Sequence, residues 1–168
     1  MYENVFVIGA DATPIGAYVR IAGNSMAKIE DGEPSESELD FIHSLLTETY
    51  WSPGIPRDVV ARGFANSISA LARDEDGKLI GFARAVTDRA TFAWVADVMV
   101  VEAQRGQGLG RKLVSALQAH PEMQNLRRWV LGTRDAHGVY APLGFTPLGA
   151  PERYMEIRSA APYGRAAG

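Results

Sequence analysis

Asp97-Val98-Met99-Val100-Val101-Glu102-Ala103-Gln104-Arg105-Gly106-Gln107-Gly108-Leu109-Gly110-Arg111 reads as an apolar strand, a short glycine-rich loop and the opening of a helix. Glycine at three alternate positions frees the backbone for close approach and for positive φ. The start of a helix leaves several N–H groups without partners, at the positive end of the peptide dipoles. Arg105 and Arg111 add formal charge. Together these features make a site for a phosphate or pyrophosphate. Two common phosphate loops are excluded. A P-loop needs Lys and then Ser or Thr after its last glycine, whereas Gly110 is followed by Arg111, Lys112 and Leu113. A dinucleotide fingerprint needs glycine where Arg111 stands, and too few residues follow to build its sheet.

Around this stretch the hydrophobic period predicts an α/β chain. Residues 67–73 and 78–87 are β-like and flank the turn sequence Asp74-Glu75-Asp76-Gly77. Residues 91–101 are the most apolar and are expected to form the central strand. A helix over 109–120 faces a core with Leu113, Val114 and Leu117, and ends before Pro121. A strand at 128–133, a short helix at 135–143 stopped by Gly144, and strands at 146–148 and 154–158 complete the sheet. Upstream, Ser35-Glu36-Ser37-Glu38 is a capping box, followed by Leu39, Ile42, Leu45, Leu46 and Thr49 at helical spacing. That helix should end before Trp51-Ser52-Pro53-Gly54, and Pro56 should start another that carries Val59, Val60 and Phe64 on one face. Residues 26–29 read as the first strand of the main fold. The apolar runs 5–8 and 17–22 read as a hairpin or a loose extension. The expected organisation is an N-terminal extension over 1–23, one domain over 24–158 and a frayed tail over 159–168, around a sheet of mixed direction.

A chain of 168 residues, 46% hydrophobic and 22% charged, has material for one real core. Its net charge of −3 argues against a broad nucleic-acid-binding face. With no cysteine, disulfides, zinc–thiolate sites and a cysteine acyl-enzyme are all excluded. No apolar run is long enough to span a membrane, and residues 1–9 carry no basic segment of a signal peptide, so a cytoplasmic location is expected.

Arg105-Gly106-Gln107-Gly108-Leu109-Gly110 fits the pattern Q/R-x-x-G-x-G/A, and Ala136-His137-Gly138-Val139-Tyr140-Ala141-Pro142-Leu143-Gly144-Phe145 fits A-x-x-x-Y-x-x-x-G-F. On these two segments and their separation the chain resembles the GNAT superfamily of acetyl-CoA-dependent N-acetyltransferases, over residues 25–158. The resemblance implies the GNAT fold, a mixed and mostly antiparallel sheet flanked by about four helices. It implies acetyl-CoA as cosubstrate and no metal. Main-chain groups of Val98, Met99 and Val100 would bond the pantetheine arm as an added strand does. The backbone N–H groups of Arg105, Gly106, Gln107, Gly108, Leu109, Gly110 and Arg111 would hold the pyrophosphate. Tyr140 would lie by the thioester sulfur and protonate the leaving thiolate. Thr133 stands where many members carry a cofactor-contacting Asn. Asp97 matches an acidic position of the superfamily's polyamine acetyltransferases, but the Glu beside it there is Ala96 here. Tyr50 and Trp51 fall in a connection that borders the family's acceptor pocket.

The chemistry is consistent with these roles. An alkyl ammonium with pKa about 10.4 must lose a proton before it attacks a thioester, and Asp97 is the candidate acceptor of that proton. A thiol of pKa about 8.5 leaves more easily when a phenol protonates it. Plainer roles stand beside these: Asp97 as a partner for an arginine, Tyr140 and Tyr50-Trp51 as core aromatics, and His43 and His137 as structural side chains. One of Arg57, Arg62 and Arg84 could bind an acidic acceptor, and Arg127 and Arg128 could reach the cofactor's 3′-phosphate. The function expected is acetyl transfer to a primary amine of a small molecule, without nucleic acid or membrane and with room for a homodimer. A protein N-acetyltransferase and a non-catalytic acyl-CoA sensor are the alternatives.

Overall fold

Ser35-Glu36-Ser37-Glu38 closes as a reciprocal cap in the computed structural model, which describes residues 12–160 and 162–164. Glu38 N–H donates to Ser35 Oγ at 3.3 Å, and Ser35 N–H donates to the Glu38 carboxylate at 2.8 Å. A cap of this kind contributes about 1 kcal/mol. Arg73 also donates to both Glu38 oxygens, at 2.7 and 3.0 Å, and holds that carboxyl below its ordinary range. The helix that follows, α1 (Glu36–Leu46), ends earlier than its apolar spacing suggested. Thr49 and Ser52 turn their hydroxyls onto the Leu46 carbonyl, so Thr49 closes the helix rather than extending it. Pro56 opens α2 (Arg57–Ala65) as its N-cap, with no N–H to leave unpaired.

Among the described residues six strands make one sheet in chain order: β1 (Tyr18–Arg20), β2 (Met26–Asp31), β3 (Ile68–Asp74), β4 (Leu79–Thr87), β5 (Phe92–Val100) and β6 (Arg128–Val130). Neighbours run antiparallel except β5 and β6, which are parallel. The β3–β4 turn forms at the expected residues, with Asp74 Oδ1 accepting from the N–H groups of Asp76 and Lys78. Two further helices, α3 (Leu109–Ala119) and α4 (His137–Tyr140), complete the mixed α/β fold.

The two faces of the sheet carry side chains of different size. Toward α3 lie Ile29, Ala70, Ala83, Ala85 and Ala93, against Leu109, Leu113 and Leu117. Toward α1 and α2 lie Leu71, Leu79 and Phe82, against Leu39, Ile42, Leu46, Val60 and Phe64. Small residues on the first face let α3 approach closely. A Cβ at Gly81 would stand 3.1 Å from the Met99 carbonyl oxygen and 3.2 Å from Leu113. The start of α3, where the glycine-rich loop ends, is therefore seated firmly on β4 and β5.

Four expectations change. The apolar strand β5 lies one place from the edge of the sheet, with β3 and β4 at its centre. The hairpin near the start joins β1 to β2, and the run 5–8 lies outside the described residues. The strand expected over 128–133 ends at Val130. Residues 146–148 and 154–158 form no strand. Pro147 has no N–H to give to a ladder. The start of the later segment is held to β6 by side chains instead, with the Arg128 guanidinium bonded to the Tyr154 hydroxyl and lying 5.6 Å from its ring centre. Met155 and Ile157 beyond it are fully exposed. No helix among the described residues is long and apolar enough to cross a membrane.

Candidate active site

The short length of β6 creates the site. Its three residues pair with Phe92, Ala93 and Trp94, and the rest of β5 is paired on the β4 side alone. Because β5 and β6 are parallel, their C-terminal ends point the same way, with the loops that follow them at that same end. A bulge lies just before this open edge. Phe82 pairs with Met99 but Arg84 pairs with Ala96, so β5 carries one extra residue. Asp97 absorbs it with φ of +51°, in the left-handed region that non-glycine residues seldom occupy. Val98, Met99 and Val100 follow directly; Met99 turns its main chain to β4, where it pairs with Phe82, and Val98 and Val100 turn theirs to the unpaired edge.

At the end of β5 a single 3-10 turn, Glu102–Gln104, leads into the glycine loop. Gly106 and Gly108 both have φ of +77°. Gly108 is the N-cap of α3 and brings no side chain to cover its first turn. The N–H groups of Leu109, Gly110 and Arg111 precede the first hydrogen bond of the helix, from Lys112 N–H to the Gly108 carbonyl at 3.0 Å. No atom lies within 4 Å of where a Gly106 Cβ would stand, so the loop faces open space. Arg105 donates from Nε to the Val100 carbonyl at 3.0 Å, tying the loop to the strand. The Arg111 guanidinium reaches back over Gly108, 3.6 Å from where a Cβ would stand. A bare helix start, two left-handed glycines and two guanidinium groups fit a diphosphate, and the open edge of β5 fits an extended amide chain.

The other wall comes from the α1–α2 connection. Trp51 donates its indole N–H to Asp97 Oδ1 at 3.1 Å, and Arg84 donates from Nε to Asp97 Oδ2 at 2.5 Å. The Asp97 side chain is only 9% exposed, and both of its oxygens are engaged. Tyr50 packs edge-on against Trp51, with ring centres 4.9 Å apart. Its hydroxyl accepts from the Arg134 N–H at 3.3 Å, and the Arg134 guanidinium lies 4.0 Å from its ring centre. The connection thus reaches β5 through Trp51 and the loop after β6 through Tyr50. Tyr140, the last residue of α4, is half-buried and packs edge-on against Phe145, centres 6.0 Å apart. Burial, with a smaller effect from Tyr50, raises its phenol above the ordinary 10.0, so it holds its proton at neutral pH.

The remaining candidates make contacts within the fold. Thr133 Oγ1 accepts from the Ala136 N–H at 3.0 Å, which shapes the turn before α4. His43 pairs with the Ile55 carbonyl at 3.0 Å. Arg57 is held by Glu36 and Asp40, and Arg62 lies 4.0 Å from Asp58. Of the three arginines left open, Arg84 alone reaches the site. It was findable as the single charge in the apolar strand β4. Arg134 carried no such mark. Among the described residues no group of three or more His, Asp or Glu side chains is arranged to hold a metal ion. A separate pocket of about 430 Å³, lined by Pro14, Ile15, Asp31 and His120 among others, shares no residue with this site.

Comparison with known proteins accords with this geometry. The family model described as Acetyltransferase (GNAT) family matches residues 35–145. A crystal structure from Xanthomonas campestris pv. campestris, described as an acetyltransferase belonging to the GNAT family, is 38% identical, with a TM-score of 0.71 over 78% of this chain and 93% of that one. An aminoglycoside N-acetyltransferase in complex with CoA is 20% identical, with a TM-score of 0.60 over 83% and 98% of the two chains. Glucosamine-6-phosphate N-acetyltransferase from Arabidopsis thaliana is 19% identical, with a TM-score of 0.58 over 79% and 97%. These last two share the fold. Among curated proteins no sequence matches the chain.

Proposed function

Because the chain belongs to the GNAT family of acetyltransferases, we propose that it transfers the acetyl group of acetyl-CoA to a primary amine of a small molecule, directly and in a ternary complex. Acetyl-CoA supplies the acetyl group as a thioester. The N–H groups from Arg105 to Arg111 hold its diphosphate, and the main chain of Val98 and Val100 its pantetheine arm. Thr133 orders the turn that carries α4 to this cleft. The amine nitrogen forms a bond to the acetyl carbon as the carbon–sulfur bond breaks. The Tyr140 hydroxyl gives its proton to the departing sulfur and regains one from solvent. The nitrogen releases its surplus proton to water; both oxygens of Asp97 already accept hydrogen bonds, from Trp51 and from Arg84.

The small acceptor is supported by one observation above all. The Tyr50–Trp51 connection is fastened at both sides, to Asp97 and to Arg134, across the ground that a peptide would need open. Two neighbours of the same fold are named for small-molecule acceptors, an aminoglycoside and glucosamine-6-phosphate. A cytoplasmic enzyme, alone or as a homodimer, is part of this reading. The test is thiol release from acetyl-CoA across a panel of small amines, amino acids, polyamines and lysine-bearing peptides. Turnover is expected with members of the small-molecule set and at background with every peptide. Turnover on peptides alone would make it a protein acetyltransferase. Binding of acetyl-CoA with no release on any amine would make it a sensor.

A further inference from the structure

We infer that Arg84 and Asp97 form a clamp whose task is to hold the β5 bulge in its left-handed conformation, so that the cofactor edge of β5 is set before the cofactor arrives. Asp97 is the one residue of β5 with positive φ. Such a conformation is strained for an aspartate and persists only where its surroundings impose it. The surroundings here are specific. Arg84 sits across the ladder on β4, at the register shift itself, and binds Asp97 Oδ2 at 2.5 Å. It does not swing freely. Its Nη1 donates to Ser67 Oγ at 3.0 Å, and its guanidinium lies 6.0 Å from the Phe64 ring centre. The clamp thus runs from the end of α2 to the bulge, and Trp51 secures the second carboxylate oxygen. Val98 follows the bulge directly, so a bulge relaxed to ordinary extended φ would shift the register of the open edge that follows. Binding would then require the strained form to be repopulated, and affinity would fall by the fraction lost. Arg84 and Asp97 are positioning residues in this account.

Glycine separates this role from every other, because it adopts φ of +51° without strain and needs no clamp. The inference rests on the reading that CoA lies along β5, and CoA itself is the probe, titrated calorimetrically into the purified protein. Asp97→Ala keeps a Cβ and removes the clamp, and is expected to weaken CoA binding about tenfold. Asp97→Gly removes the same carboxylate, leaves Arg84 equally unpaired, and is expected to bind CoA within about twofold of the parent. Arg84→Met is expected to weaken CoA binding in the parent and to have no further effect in the Asp97→Gly background. Equal affinities for the alanine and glycine variants would overturn the clamp, whether both were weak or both tight. A parent that bound no CoA would instead overturn the reading beneath it. Thermal melts of the free variants check that each still folds.

Discussion

Tyr140→Phe is expected to lower kcat by about 10²–10⁴-fold and to leave acetyl-CoA affinity within a fewfold of the parent. The substitution keeps the ring, and with it the edge-on packing against Phe145. It removes only the hydroxyl, which makes no hydrogen bond to any other described residue, so little folding stability should go with it. Burial raises the phenol above its ordinary value, which fixes the pH dependence. The protonated form is the active one, so the acid function is complete through the neutral range and fades only as pH climbs through that raised value. The loss in the phenylalanine variant should shrink with a thioester of a more acidic thiol, because a better leaving group needs less protonation. Steady-state kinetics with the two donors, on any amine that the acceptor panel identifies, measures both effects. Full activity of the variant, or an equal loss with both donors, would reduce Tyr140 to a packing residue.

Gly108→Asp should weaken cofactor binding roughly 100-fold while sparing the fold. The position has φ of +77°, which aspartate tolerates better than most residues. Its carboxylate would stand at the bare start of α3, beside the N–H groups assigned to the diphosphate. Two like charges at 4 Å near a protein surface repel by about 4 kcal/mol, and screening leaves enough for a loss of roughly 100-fold. At a CoA concentration of about 100 times the parent's Kd, binding stabilises the parent by about 2.7 kcal/mol, and a variant 100-fold weaker by about 0.4 kcal/mol. A thermal melt with and without CoA resolves that difference. A variant stabilised as well as its parent would remove the diphosphate from this loop.

Much of the scaffold was legible because its signals are local. The Ser35–Glu38 box, the Asp74–Gly77 turn, the α3 stripe and the stop at Gly144 each depend on residues adjacent in sequence, and each forms where the pattern put it. The strand expected over 91–101 also formed, but its rank in the sheet was misread. Apolar content does not report rank in the sheet: Phe92 and Trp94 are exposed, Val98 and Val100 are only partly buried on the α3 face, and Met99 packs on the other. The segments 146–148 and 154–158 have strand-like residues, but pairing needs a partner edge, and no local pattern reveals whether one is available. In the site, the glycine loop could be read directly, since its backbone is its chemistry. Asp97 could be noticed but not interpreted. Its meaning depends on Arg84 from another strand and Trp51 from a connection 46 residues away, contacts that only the folded chain makes. The same holds for Tyr50 and Arg134, which are 84 residues apart.

The central claim, that the edge of β5 and the loop after it receive CoA, is tested most directly by following backbone amide resonances as CoA is titrated into the labelled protein. The account predicts saturable shifts concentrated at Val98, Met99 and Val100 and from Arg105 to Arg111, with little change around Pro14, Ile15 and His120. Shifts confined to that second region, or none at saturating CoA, would contradict it.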